Sequence, residues 1–344
     1  MNKLVEQLTR NIQQPQRVYP AFNDLAEKLS IINSFDLSES ALIIGGSAGR
    51  GESCVTPYQD NYHILSDLDL LWIYQDTLPT TPITEAVTAI ESATQLECSI
   101  YTLPQKHFAR LQTPLGKDYK QYAITFGDWQ PDTYPPITTT PYDAAEVWIY
   151  GLIELLENFD AIESLSQQNT QAFLYQVHHI CMYLIRSVIL LKGGYCYHDI
   201  DCLPANLKHF AQSQLDWRDG LTNNNDFSSQ SLQQLILMTY QEHQQQGCLT
   251  EQKNSVENFK YIHHASGQYV AHYQDIATSL ILDAVKNDNW RDMTHIRSSL
   301  IRAWQHLHCS KFTIPHITTS PFEWFYKRKK QFRDSLLWMK IVRR

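Results

Sequence analysis

Asp67 and Asp69 stand two residues apart in the otherwise apolar run DLDLLWIY, residues 67–74. On a strand, residues i and i+2 point to the same face, so both carboxylates project together while Leu68 and Leu70 take the other side. Burying such a pair is costly unless a cation sits between the two groups. A divalent ion meets that need, and Mg²⁺ takes oxygen ligands while keeping positions open for phosphate. Glu97, in LECSI, completes a three-carboxylate cluster if its strand neighbours the Asp strand. Such a cluster can hold two metals or leave one carboxylate as a general base. Upstream lies GGSAGRGE. Gly46 lets the backbone approach a phosphate, the Ser47 hydroxyl and nearby N–H groups donate to it, and Arg50 adds a cation suited to its oxygens. An anion cradle plus metal carboxylates is equipment for a nucleoside triphosphate.

These residues need elements to hold them. VYPAFNDLAEKLS (18–30) reads as a short amphipathic helix, and ALIIGG (41–46) as a strand running into a turn. Residues 53–65 are polar and turn-rich, a loop or small hairpin. DLDLLWIY is nearly continuous in apolar character and reads as a central strand. TPITEAVTAIESA (81–93) has helical spacing, with Thr81 as a candidate cap, and LECSIYTL (96–103) is a third strand. Helix, strand, turn, strand, helix, strand describes an α/β (α+β) unit around a small mixed sheet. Residues 104–142 are rich in Pro and Thr and read as a loop-rich excursion or linker. From 143 onward the patterns are helical. The expected division is a catalytic domain over 1–142 and an all-helical domain over 143–344.

The set Gly46-Ser47, Arg50-Gly51-Glu52, Ser66-Asp67-Leu68-Asp69 and Glu97 resembles the signature of the DNA polymerase β-type nucleotidyltransferases. The form is similar to that of the small bacterial members, and the layout of an α/β domain followed by helices is similar to the kanamycin-type enzymes. The resemblance covers roughly residues 18–103. It implies a nucleotidyltransferase that uses two Mg²⁺ ions and moves a nucleoside monophosphate from an NTP to an acceptor hydroxyl, releasing pyrophosphate. Gly46 and Ser47 would hold the triphosphate with help from Arg50. Asp67, Asp69 and Glu97 would be the metal carboxylates, with Glu97 a candidate base. The stretch from Ser47 to Asp67 is longer than in compact members, which implies an inserted hairpin or loop at 53–65. The acceptor expected is a small molecule. A catalytically silent nucleotide-binding module and an antitoxin-like regulatory partner are the competing classes.

Other residues carry paired readings. Lys192, before two glycines, is either a cation favouring a helix C-terminus or, as the resemblance implies for helical-domain cations, a triphosphate ligand. Glu52 either fixes Arg50 in a salt bridge or takes part in chemistry. His178-His179 and His263-His264 lack the i, i+4 spacing that puts two imidazoles on one helix face. RAWQHLHC (302–309) superficially resembles the short Arg…His pattern of helical HEPN ribonucleases. In CYHDIDC (196–202) the cysteines near His198 suggest zinc, but four ligands are not visible. Residues 326–344 carry eight Lys and Arg against the single acid Asp334. That tail is either a packed last helix with a solvated basic face or a contact for an anionic surface.

The composition sets outer bounds. At 344 residues, 43% hydrophobic and 19% charged, the chain has the make-up of folded domains rather than disorder. Its net charge of −8 argues against general nucleic-acid binding. Seven cysteines without a CxxC, and a polar first segment, lead to the expectation of a cytoplasmic protein with reduced thiols.

Overall fold

The structure, a computed structural model, describes residues 2–247 apart from 59–60, 77–80, 109–113, 123, 128–138, 142, 146, 149–150, 153, 156–169 and 223–228. The chain divides into two compact units. The first comprises Met1–Thr138, Cys196–Asp199 and Gln212–Asn225, and the second Thr139–Tyr195, Ile200–Ala211 and Asp226–Arg344.

The first unit is built on a four-stranded mixed sheet, order β5-β4-β1-β6. Its strands are β1 (Ser40–Ile44), β4 (Leu68–Tyr74), β5 (Cys98–Pro104) and β6 (Ile124–Phe126). β1 pairs antiparallel with β4 and with β6, while β4 and β5 are parallel. A separate hairpin, β2 (Val55–Tyr58) and β3 (Asn61–Ile64), occupies the stretch expected to hold a loop or hairpin.

Each face of the sheet has its own core. One face carries Leu42, Ile44, Leu68, Leu70 and Trp72 against α1 (Lys3–Leu8), α2 (Tyr19–Lys28) and α4 (Ile83–Thr94). α2 forms because Phe22, Leu25 and Ala26 fall on one stripe, and all three are buried. α4 likewise buries Ala86, Ile90 and Thr94 at four-residue steps. Its N-cap is Pro82, which gives no side-chain hydrogen bond, so Thr81 is not the cap. Trp72 is fully buried, and its indole N–H donates to Ser40 Oγ at 2.9 Å while its ring stacks on Phe35. A partner for that N–H is what lets so large a ring be buried without an orphaned donor.

The opposite face carries Ile43, Leu71, Ile73 and Leu103, packed against Phe108 and Tyr119. These two aromatics come from α5 (Gln105–Phe108) and α6 (Pro114–Gln121). This corrects the reading of 104–142 as a loop-rich excursion: residues 105–126 supply two short helices and the edge strand β6. They cover the face from which the acidic side chains project.

In the second unit the described residues include α7 (Thr170–Leu191) and α9 (Ser229–Gln245), while α8 (Ala205–Arg218) passes from the second unit into the first. Trp148 is fully buried and donates to Thr239 Oγ1 at 2.9 Å. The rest of the expected helical domain, including His263-His264, residues 302–309 and the basic tail 326–344, lies outside the described residues. Among the described residues no helix is long and apolar enough to cross a membrane, and Cys54, Cys98, Cys181, Cys196 and Cys202 are not joined in disulfides.

Candidate active site

β1 ends at Ile44, and the chain turns at Gly45 into α3 (Gly46–Arg50), a short helix capped by Gly51. The turn is stitched to β4, with the Gly45 N–H donating to the Asp69 carbonyl at 2.8 Å. Gly46 has φ +59°, and a β-carbon there would stand 2.5 Å from Asp69 Oδ2. Only a residue without a side chain allows this conformation beside that carboxylate. From Ser40 to Val55 every residue is buried except Ser47, which opens the turn toward solvent.

Asp67 and Asp69 are 7% and 8% exposed. The parallel register pairs Leu68 with Cys98 and Asp69 with Ser99, and the Leu68 N–H donates to the Glu97 carbonyl at 2.8 Å. One step back along both chains, Asp67 therefore stands beside Glu97. Paired residues of parallel neighbours share a face, so Asp67, Asp69 and Glu97 occupy one face at one end of the sheet. That is the face covered by α5 and α6, opposite Leu68 and Leu70. The set is chemically suited to oxygen-bound divalent ions, being three carboxylates on one face of the sheet, one of them seated against the Gly46 turn.

Arg50 is placed differently from the sequence expectation. It is 3% exposed and paired with two carboxylates, donating to Glu52 Oε2 at 2.7 Å and to Asp118 Oδ2. Its guanidinium also lies over the Tyr197 ring, 5.4 Å from the centroid. Burial alone would lower its pKa, but Asp118 and Glu52 outweigh that and hold it well above the usual value. Glu52 is the hub. Its Oε1 accepts the Tyr197 N–H at 2.5 Å and lies 3.9 Å from Arg218 Nη1 and 3.9 Å from His198 Nδ1. Burial pushes the Glu52 pKa up, yet Arg50, then His198 and Arg218, bring it down to about 2. Arg218 in turn donates to Asp219 Oδ1 at 2.7 Å and to the Asn11 carbonyl at 2.8 Å.

Lys192 belongs to the second unit, where its ammonium lies 2.7 Å from Glu242. His178 is buried, and His179 meets the Tyr183 ring edge-on at 4.8 Å. Sequence reasoning missed Asp118 and the return of residues 196–199 to the first unit. Asp118 carries a visible signal only in hindsight: it is an acid on the buried side of α6, in a segment that reads as loop.

Comparison of the chain with protein-family models, curated proteins and solved structures finds no match.

Proposed function

We propose that the first unit is a Mg²⁺-dependent nucleotidyltransferase that moves a nucleoside monophosphate from an NTP to a hydroxyl acceptor, a small molecule, releasing pyrophosphate. The observation that carries this reading is the seating of Gly46 against the Asp69 carboxylate, with Asp67 and Glu97 in register beside it. Asp67, Asp69 and Glu97 would hold the metal. When bound, Mg²⁺ neutralises charge on the attacking and leaving oxygens of an in-line displacement. Ser47, the open point of the turn, donates its hydroxyl to the triphosphate, and the Gly46 turn lets the chain approach it closely. Glu97 accepts the proton of the acceptor hydroxyl as the oxygen attacks the α-phosphate. Arg50 acts as a positioning residue: with Glu52 and Asp118 it fixes the end of α3, so Ser47 stays aimed.

The test is pyrophosphate release from each labelled NTP with Mg²⁺ and a small-metabolite extract. Asp67→Asn and Asp69→Asn should each lower transfer by at least about 10²-fold, the scale of losing one electrostatic contact to the transition state. Near-normal turnover in either variant would remove the assignment.

A further inference from the structure

A second cluster shares no residue with the Asp67, Asp69 and Glu97 set. Ligand atoms of Glu52, Cys196 and His198 all lie within 4.8 Å of one another. Glu52 and Cys196 are buried, while the His198 side chain is 46% exposed. The cluster joins the loop after α3 to the Cys196–Asp199 segment of the same unit. We propose that these three side chains bind a thiophilic divalent transition-metal ion of the Zn²⁺ class.

Three observations converge. The first is the donor set. A thiol, an imidazole and a carboxylate, with water in a fourth position, match the ligands this class of ion takes, at about 2.3 Å to sulfur and about 2.0–2.2 Å to nitrogen and oxygen. Tetrahedral geometry at those lengths sets ligand atoms about 3.3–3.8 Å apart. His198 Nδ1 is already 3.9 Å from Glu52 Oε1, and its half-exposed ring is free to adjust by the remainder.

The second is an orienting carboxylate. Asp199 Oδ2 accepts the Cys196 N–H at 2.8 Å, and Oδ1 stands 3.6 Å from His198 Nε2. Metal-bound histidines characteristically turn their other ring nitrogen to a carboxylate, which fixes the tautomer and the ring orientation. Here one carboxylate stands near the other nitrogen of the imidazole while also accepting from the backbone of the cysteine.

The third is charge. Around Glu52 are buried two guanidiniums, Arg50 and Arg218, and three carboxylates, Glu52, Asp118 and Asp219. Asp118 answers Arg50 and Asp219 answers Arg218, which leaves one negative charge over. Nearby, Arg10 is a further cation, set against Cys196 and Glu52, and Asp199 is a further carboxylate. Binding releases the Cys196 thiol proton to solvent, and the thiolate and Glu52 together balance a dication.

The experiment uses the full chain, purified reduced and metal-free, titrated with Co²⁺ and then Zn²⁺. One equivalent of Co²⁺ should give thiolate-to-cobalt charge-transfer absorption in the near ultraviolet, which Zn²⁺ should then bleach. Cys196→Ser should abolish the band, and Asp199→Asn should weaken affinity by about 10–100-fold. Cys202→Ser and the Asp67→Asn/Asp69→Asn double variant should leave it unchanged, which separates this site from the carboxylate site. Absence of the band from folded protein, or its persistence in Cys196→Ser, overturns the proposal. Should Cys196→Ser not fold, His198→Gln at its half-exposed position decides: unchanged Co²⁺ affinity there overturns it equally.

Discussion

Gly46 and Asp69 are separated by 23 residues in the chain, yet the space where a Gly46 side chain would begin is filled by the Asp69 carboxylate, 2.5 Å away. The turn and the acidic strand are thus one object, and changing either changes both. Gly46→Ala should cost about 1–2 kcal/mol from the left-handed backbone alone, with a further penalty from the contact with Oδ2. Asp69→Ala in the same chain should recover the second part and not the first. Urea unfolding of the two single variants and the double measures this as a coupling energy, expected at about 0.5 kcal/mol or more. Strict additivity would mean that the two residues do not meet.

Mg²⁺ should stabilise the protein through the same carboxylates. An ion that binds only the folded state raises stability by about 2.7 kcal/mol at a hundred times its dissociation constant. Thermal unfolding with and without Mg²⁺ should therefore show a rise for the wild type and a much smaller one for Asp69→Asn. Equal rises in both would place the ion elsewhere.

The Arg50 network predicts a large structural penalty. The Glu52 and Asp118 side chains are 0% and 2% exposed. Arg50→Met would leave both without their shared cation, and breaking a buried pair by removing one partner costs about 3–5 kcal/mol. Denaturant unfolding checks this. A loss below about 1 kcal/mol would show that water or another cation reaches the cluster.

In the second unit, His243 is fully buried, 2.9 Å from Ser187 Oγ and beside the Trp148 ring. Since Ser187 donates its proton to the Leu184 carbonyl at 2.6 Å, His243 must donate from Nε2 and is held neutral. Burial lowers its pKa from 6.5 to about 4. In the unfolded chain the imidazole takes up a proton near pH 6.5 that the folded state refuses, so stability is full above 6.5 and falls as pH drops toward 4. The stake is about 3 kcal/mol across that window. Subtracting the pH dependence of His243→Gln from that of the wild type isolates it. A flat difference would mean that the ring is protonated in the fold.

The chemistry-bearing strands were legible because their signals are local. The apolar run of β4 interrupted by Asp67 and Asp69, the strand-to-glycine turn at Ile44–Gly46, and the polar hairpin of β2 and β3 each show within a dozen residues. What was hidden is non-local. β6 spans Ile124–Phe126 and is a strand only because β1 offers it an edge. α5 and α6 are too short for a helical period to stand out. Arg50 reads as a phosphate ligand from its neighbours, and its actual partner Asp118 lies 68 positions on. Nothing within Cys196–Asp199 announces that these residues return to Glu52. Charged groups declare their type in a sequence but not which opposite charge they will meet.

The parallel pairing of β4 and β5 carries a last implication. Both strands enter the sheet at the same end, so all three acids arrive at strand starts and depend on register rather than on strand length. Additions beyond Tyr74 or Pro104, at the far ends, would leave them aligned. A slip of β5 by one residue would turn Glu97 to the apolar face and bring Cys98 up beside Asp67, exchanging a hard oxygen donor for a soft sulfur one. The choice between hard and soft donors on this face is thus written in the pairing of two backbones.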